Sequence, residues 1–337
     1  RRALKLSDEI VKLVEAKCPS REQVDKRDAF VGDLQRHLAL ELSGCRLVPF
    51  GSAVNGLWLA DRDLDLSLEV PGVRERVDGV RVLRCVGAAI RRLTGDRPEA
   101  RLNASMPVLR WTPERAGDLR CDITVNNQLA VANSQLIGAY VAADARLRPL
   151  AIVAKVWARA RGINDRSRGT LSSFAITLMV IHFLQEMGTL PSLQDLAVER
   201  GEPLHEVLGV DCRFCSDAKV WAEAVARLQD AGEAGLGVCL LAFLRYFGLN
   251  YRGGVVATRL SPRPASGCSN TFLFVENPFE FGRDVANVGV GQLVRIREEF
   301  RRAYRHLSGG GSLVELCKAP STETERGGVV FSPCHFQ

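Results

Sequence analysis

Residues 49–70, PFGSAVNGLWLADRDLDLSLEV, decide the fold. The end of this stretch alternates strictly between polar and apolar residues, which is the period of a β-strand with one buried face. The apolar face holds Leu64, Leu66, Leu68 and Val70, and the polar face holds Asp63, Asp65, Ser67 and Glu69. The stretch therefore predicts a half-buried strand with two carboxylates on its open face.

These two carboxylates predict a metal site. Residues at positions i and i+2 of a strand project from the same face, so Asp63 and Asp65 lie side by side. Their repulsion costs free energy unless a cation lies between them, and Mg²⁺ prefers carboxylate and phosphate oxygens. Asp122, on the polar face of a later alternating segment, completes a set of three. We predict that these catalytic aspartates hold Mg²⁺ (or Mn²⁺), although a bare D-x-D pair is more often an ordinary solvated pair.

The residues before the pair favour a phosphate ligand. Residues 49–52 have the pattern of a strand end, a tight turn and the start of a helix. Backbone amides at Gly51 can approach a phosphate closely in such a turn, and the Ser52 hydroxyl can donate to it. Two metals roughly 4 Å apart would then activate an attacking oxygen and stabilise a leaving pyrophosphate.

Hydrophobic periodicity places the strands in one part of the chain. Strands are predicted at 45–50, 64–70, 106–112 and 119–125. Helices are predicted over the first 40 residues with a break at 18–20, and then at 74–93, 135–145, 149–161, 171–187, 193–196 and 218–247, with a final loop and helix over 285–307. We expect an α/β (α+β) fold with a mixed-sheet catalytic domain at 43–130, a mainly helical domain formed by 1–42 plus 131–307, and an irregular tail at 308–337.

Composition narrows the class of protein only moderately. The net charge of +6 suits a protein that binds polyanions, although arginine clusters usually form a solvated surface. No apolar run reaches about 18 residues, so we expect no transmembrane helix and no membrane partner. Cys212 and Cys215 have the spacing of half a zinc site, with His205 upstream, but no second pair completes it, which favours free thiols.

The motifs together resemble those of a known superfamily. Phe50-Gly51-Ser52, a spacing of about ten residues and Asp63-Leu64-Asp65-Leu66 are similar to the signature of the DNA polymerase β-like nucleotidyltransferases, and Asp122 matches their third carboxylate. Further motifs resemble the noncanonical poly(A) polymerase and terminal uridylyltransferase family, and look most similar to its trypanosomatid mitochondrial members. They are Asn133-Ser134, Lys155-Val156-Trp157 with Arg159, Leu171-Ser172-Ser173-Phe174 and Val275-Glu276-Asn277-Pro278-Phe279.

The resemblance implies which residues bind the triphosphate. Lys155 and Arg159 are i, i+4 neighbours on one helix face, so both charges can reach one triphosphate. Without the family they would be equally well explained as a solvated basic edge. Ser172 and Ser173 suit a helix N-terminus, where a hydroxyl can cap the helix, bind an anion or do both.

The resemblance also implies contacts to the base and ribose. Phe174 stands where the family usually has a base-stacking tyrosine, and the alternative is a core aromatic residue. Asn133 and Ser134 are similar to residues that contact uracil and ribose, although alone they would suggest a helix cap. Asn277 replaces an aspartate that helps to read uracil, while Glu280 remains as an acceptor for uracil N3–H.

The resemblance further implies a reaction and substrates. An RNA 3′-hydroxyl would attack the α-phosphorus of UTP bound in a cleft between two lobes, with single-stranded RNA 3′ ends as substrate and a larger RNA-editing complex as partner. It also implies a mitochondrial location, with the cytoplasm as the alternative. The rival functions are a poly(A) polymerase that uses ATP and a noncatalytic RNA-binding scaffold on the same fold. One departure, Arg62 where relatives often have serine, is expected to be tolerated in a loop.

Overall fold

The computed structural model describes residues 2–104, 106–114, 119–228, 234–260 and 273–319. Its strands are β1 (Arg46–Phe50), β2 (Leu64–Glu69), β3 (Glu99–Arg101), β4 (Val108–Trp111), β5 (Cys121–Val125), β6 (Glu206–Val207), β7 (Val210–Asp211), β8 (Val255–Val256) and β9 (Phe274–Val275). Its helices are α1 (Arg2–Lys17), α2 (Arg21–Glu41), α3 (Arg76–Thr94), α4 (Gln128–Ala143), α5 (Leu147–Ala160), α6 (Ser173–Glu186), α7 (Leu193–Glu199), α8 (Ala218–Leu228), α9 (Leu236–Arg245), α10 (Val290–Ser308) and α11 (Leu313–Leu316).

The first five strands form one mixed sheet in the order β1-β2-β5-β4-β3. The central pair, β2 and β5, is parallel, and the other neighbours are antiparallel. Because parallel strands need a crossover connection, the chain leaves β2 through α3 and returns to β5 by way of β3 and β4. The two strands that carry the predicted carboxylates are therefore direct neighbours.

The apolar face of the sheet forms its own core. The leucines of β2 are fully buried there against α2 and α3, which contribute Leu38 and Val86. This pairing buries the face that the alternation predicted and leaves the opposite face free for polar side chains. The helix α4 packs on that opposite face, against β1 and β2.

A second core holds the helices of the rest of the chain. Helix α6 is buried almost all round and packs against α5, and its Phe183 contacts Phe243 of α9. Trp157 of α5 contacts Phe300 of α10 edge-on at 4.8 Å between ring centroids. Helix α1 joins this core through Ile10, and α11 joins it through Leu313. Among the helices that the structure describes, none is long and apolar enough to cross a membrane.

The architecture differs from the expected domains at both ends. The prediction placed 1–42 in the helical domain, but only α1 packs there, since α2 lies on the sheet. The predicted irregular tail at 308–337 begins with α11, which Ser312 caps, and residues 320–337 lie outside the described part. The single helix predicted at 218–247 is two helices, α8 and α9, and the predicted helix at 135–145 begins earlier as α4.

Candidate active site

The three predicted aspartates meet on the open face of the sheet. Asp65 of β2 and Asp122 of β5 are direct partners in the parallel ladder, and Asp63 lies just before β2. Residues in register on neighbouring strands point to the same face. The sequence pattern therefore identified a real cluster, although only the register between β2 and β5 could show that Asp122 belongs to it.

The turn after β1 closes on this cluster. Gly51 has a φ of +68°, and a Cβ placed on it would lie 2.6 Å from Asp65 Oδ2. Only glycine allows this conformation together with so close an approach. The Gly51 amide donates to Ser134 Oγ at 2.7 Å, and that hydroxyl donates to Ala130 O at 2.6 Å. Ser134 thus ties α4 to the turn.

The negative charges of the aspartates repel one another. Burial, followed by the charges of Asp122 and Asp63, raises the pKa of Asp65 to about 7 from an ordinary value of 3.8. Burial also raises the pKa of Asp122, and hydrogen bonds from Arg110 oppose this rise. A carboxylate whose ionisation is opposed by its neighbours is a favourable ligand for a hard cation. The donor set therefore fits Mg²⁺.

Two arginines form ion pairs with Asp63 and Asp122. Arg120 Nε lies 2.9 Å from Asp63 Oδ1, and Arg110 Nε lies 3.2 Å from Asp122 Oδ1. Within the described ranges, no three Asp, Glu, His or Cys side chains are arranged to hold a metal ion as they stand. A bound cation would therefore compete with Arg120 for Asp63 and with Arg110 for Asp122.

A cleft of about 520 Å³ opens beside the aspartates. Its lining includes Phe50, Gly51, Ser52, Asn55, Leu57, Arg62, Asp63, Asp65, Ala130, Asn133, Ser134, Ile137, Lys155, Arg166, Ser173, Phe174 and Thr177. A larger cavity of about 1090 Å³ lies at the far end of β2, beside Glu69 and Asn126, and none of the three aspartates lines it. Chemistry rather than size therefore identifies the smaller cleft as the candidate site.

The two predicted triphosphate contacts have different surroundings. Lys155 is only 4% exposed, lines the cleft and donates from Nζ to Leu57 O at 2.8 Å. Burial, followed by the charge of Arg62, lowers its pKa to about 8. Arg159 does not line the cleft, because its Nη1 lies 2.6 Å from Asp61 Oδ2. Lys155 is thus placed to meet an anion, whereas Arg159 must first leave Asp61.

The start of α6 forms the opposite wall of the cleft. Ser172 caps this helix by accepting from the Ala175 amide at 3.0 Å, and it lies outside the lining. Ser173 lines the cleft and donates to Asn164 Oδ1 at 3.1 Å, and Phe174 lines it while packing against the helical core. A π-face is thereby available in the cleft for a base.

Asn133 offers an open acceptor in the same cleft. Its side chain is buried, and its Oδ1 accepts no hydrogen bond from any part of the chain that the structure describes. A buried amide oxygen without a donor costs free energy, which a donor on a bound ligand would recover. The position supports the predicted contact of Asn133 with a nucleotide.

Asn277 and Glu280 are not brought into the lining of the cleft. Asn277 is buried, and its Oδ1 accepts from the Phe279 and Glu280 amides while its Nδ2 donates to Glu280 Oε2 at 3.0 Å. Glu280 also receives a hydrogen bond from Arg283. Both side chains therefore stabilise their own turn, and their predicted contacts with uracil would need Glu280 to leave these partners.

Arg62 and Arg166 are cleft residues that the sequence did not assign. Arg62 was expected to be tolerated in a loop, and Arg166 lies in a short 3₁₀ turn, Arg166–Arg168, that no motif marks. The position of Arg62 beside the D-x-D pair was the one available signal. Cys212 and Cys215 are buried free thiols.

Comparison with known proteins shows similarity to RNA nucleotidyltransferases. The family described as "Poly(A) RNA polymerase, mitochondrial-like, central palm domain" matches residues 6–142. Poly(A) RNA polymerase cid11 of Schizosaccharomyces pombe is 28% identical over 93% of this chain, and Poly(A) RNA polymerase GLD2 of Bos taurus is 30% identical over 90%. A solved structure of the Cid1 poly(U) polymerase, a mutant bound to MgATP, matches with a TM-score of 0.79 and 26% identity, covering 94% of this chain and 99% of that one. Over most of its length the chain is therefore similar to noncanonical poly(A) and poly(U) RNA polymerases.

The likeness to the Cid1 structure confirms the predicted fold class, and residues 6–142 match a palm domain. The chain spans 65% and 64% of the lengths of the two curated relatives. A structure described as a cytoplasmic RNA terminal U-transferase is 25% identical, with a TM-score of 0.76, and covers 94% of this chain and 99% of that one. The relatives thus include both poly(A) and poly(U) enzymes. The finer resemblance to trypanosomatid members stays a prediction.

Proposed function

We propose that this chain is a template-independent RNA terminal uridylyltransferase, which adds UMP from UTP to RNA 3′-hydroxyl ends and releases pyrophosphate. The observation that carries the proposal is the register of Asp65 with Asp122 across a parallel strand pair, next to a cleft that also contains Lys155 and Phe174. Carboxylates, a buried cation and an aromatic face are what a metal–nucleoside triphosphate requires.

The residues of the chain divide the work of the reaction. Asp63 and Asp65 would hold Mg²⁺, which supplies charge stabilisation at the reacting phosphate when bound. Asp122 would orient the RNA 3′-hydroxyl and take its proton. Lys155 would bind the triphosphate, and the Gly51-Ser52 turn would approach it. The base would stack on Phe174 at the start of helix α6. Solved relatives bound to MgATP and MgGTP support the choice of Mg²⁺.

The choice of UTP rests on two supports. The open acceptor of Asn133 can receive uracil N3–H or a ribose hydroxyl, whereas cytosine and adenine lack the N3–H donor. Solved relatives described as poly(U) polymerase bind the UTP analogue UMPNPP and the short product ApU. A mitochondrial location, with the cytoplasm as the alternative, and a partner RNA-editing complex remain predictions from the resemblance.

A poly(A) polymerase is the second candidate, and one observation favours it. Glu280 is paired with Asn277 and Arg283, so the acceptor that was expected to read uracil is occupied. The curated relatives described above are named poly(A) RNA polymerases. A noncatalytic scaffold is less well supported, because it would have no use for three mutually repelling aspartates beside a cleft.

The test is nucleotide addition to a labelled single-stranded RNA with Mg²⁺ and each nucleoside triphosphate in a separate reaction. We expect extension with UTP, and none from Asp63→Ala or Asp65→Ala. Efficient extension with ATP and not UTP would replace the uridylyltransferase by a poly(A) polymerase. No extension with any nucleotide, by protein shown to be folded, would leave the scaffold as the answer.

A further inference from the structure

Arg62 is held in a fixed position at the mouth of the cleft. Its amide donates to Leu59 O at 3.0 Å, and its carbonyl accepts from Trp58 Nε1 at 3.3 Å. Trp58 is buried, and the guanidinium of Arg27 lies 5.1 Å from its ring centroid. The loop before Asp63 is therefore braced, and the Arg62 side chain, 27% exposed, lines the cleft.

Among the described residues, Arg62 makes no close ion pair, although the charges of Asp61 and Asp63 favour its protonated form. Its nearest carboxylate oxygen is Asp61 Oδ1, at 3.8 Å from Nε, while the other oxygen of Asp61 is engaged by Arg159. The charge of Arg62 lies close enough to Lys155 to lower the pKa of that amine. Two cations thus face one cleft and repel each other, an arrangement that an anion between them would stabilise.

We propose that Arg62 is a triphosphate-binding residue, which together with Lys155 holds the terminal phosphates of the bound nucleotide. This inference rests on the proposed function. The family resemblance predicts a small hydroxyl side chain at this position. Arg62 instead offers a planar cation with several hydrogen-bond donors. A guanidinium can bind two phosphate oxygens at once, which an ammonium or a hydroxyl cannot do.

The position of Arg62 also determines which part of the nucleotide it affects. It adjoins Asp63 in sequence, whereas Phe174 enters the cleft lining from α6. Because phosphate carries no base identity, the contact strengthens binding of every nucleoside triphosphate and of free pyrophosphate-like anions. A nucleoside monophosphate has no terminal phosphates, so its affinity does not depend on Arg62.

The experiment is calorimetric titration of the whole chain, without RNA, with UTP, UMP and inorganic tripolyphosphate in the presence of Mg²⁺. The variants are Arg62→Ser and Arg62→Lys, and the matched control is Arg46→Ser, an exposed arginine of β1 outside the cleft. We expect Arg62→Ser to weaken UTP and tripolyphosphate about tenfold and to leave UMP unchanged, as befits the loss of a hydrogen bond between charged groups. Arg62→Lys should recover part of the loss, and Arg46→Ser should bind like the wild type.

Unchanged affinity of Arg62→Ser for UTP would overturn the proposal, as would an equal loss for UTP and UMP. Wild-type protein that binds neither UTP nor tripolyphosphate would overturn both this inference and the proposed function. If the wild type binds both anions through Arg62 but never extends RNA, only the proposed function fails. Melting curves of each variant exclude unfolding as the cause of a loss.

Discussion

Replacing Asp65 by asparagine should make the metal-free protein less sensitive to alkaline pH. Asp65 has a pKa of about 7 in the folded chain and an ordinary value of 3.8. Since the folded pKa is the higher one, its contribution to stability is fully present below about pH 4 and is lost as the pH rises through 7. The full difference corresponds to about 4 kcal/mol at about 1.4 kcal/mol per pH unit, an upper limit because solvent and ions reach the cleft.

A narrower pH range gives a measurable fraction of this effect. Between pH 6 and pH 8 the contribution of Asp65 should fall by about 1.4 kcal/mol, because its folded form releases most of its proton in that range while the unfolded form is already ionised. Unfolding would be followed in EDTA for the wild type, for Asp65→Asn and for Asp78→Asn, a surface control paired with Arg81. The gap between wild type and Asp65→Asn should change with pH, and the control should follow the wild type.

Magnesium should offset the loss of wild-type stability at high pH. A cation bound by ionised Asp65 removes the repulsion, so Mg²⁺ should stabilise the wild type more at pH 8 than at pH 6, and more than it stabilises Asp65→Asn. Parallel pH dependence of wild type and Asp65→Asn in EDTA would refute the electrostatic reasoning. Equal stabilisation of both proteins by Mg²⁺ would show that the ion binds elsewhere.

Three further predictions concern the same cleft. Gly51→Ala should abolish nucleotide addition and destabilise the fold by more than Gly72→Ala does. Gly72 is the control because it has a similar positive φ of +78° but open space where a Cβ would lie. Equal effects of the two substitutions would show that backbone strain of about 1–2 kcal/mol, rather than the contact with Asp65, is responsible. Arg120→Ala should lower the Mg²⁺ concentration for half-maximal binding by up to about fivefold, because it removes an exposed ion pair worth up to about 1 kcal/mol. A higher Mg²⁺ concentration for half-maximal binding would contradict competition between Arg120 and Mg²⁺ for Asp63. Lys155→Met should weaken binding of every nucleoside triphosphate alike. The affinity of the wild type for nucleoside triphosphates should fall above about pH 8, because Lys155 loses its proton there. A pH-independent affinity, or a changed ratio of UTP affinity to ATP affinity in the variant, would place Lys155 away from the triphosphate.

Short-range patterns predicted the sheet and the carboxylates well. The strand expected at 64–70 is β2, because one strictly apolar face leaves no alternative register. The edge strand β3 was missed, since Glu99–Arg101 is exposed on both sides and has no apolar alternation. Helix α4 begins before its predicted start because it is apolar on most sides and so lacks the amphipathic period that marks a first turn.

Long-range packing determined what the sequence could not supply. Nothing local shows that Ser134 anchors the turn at Gly51, because the two residues are 83 positions apart. In the same way, Asn277 and Glu280 looked like free acceptors until their hydrogen bonds to each other and to Arg283 became visible. A motif gives the kind of side chain at a position, but the partners of that side chain come from the fold.

The structure separates the chemistry of the cleft from its choice of base. The metal ligands belong to the sheet, where the register of β2 with β5 fixes Asp65 against Asp122. The surfaces that can meet a base, Asn133 and Phe174, belong to helices of the other core. The turn at 277–283 reaches this wall indirectly, since Ser172 at the start of α6 donates to Val285 O at 3.3 Å. Substitutions in that turn can therefore shift the wall that holds the base without moving the carboxylates, so nucleotide choice can change while the transfer reaction is kept.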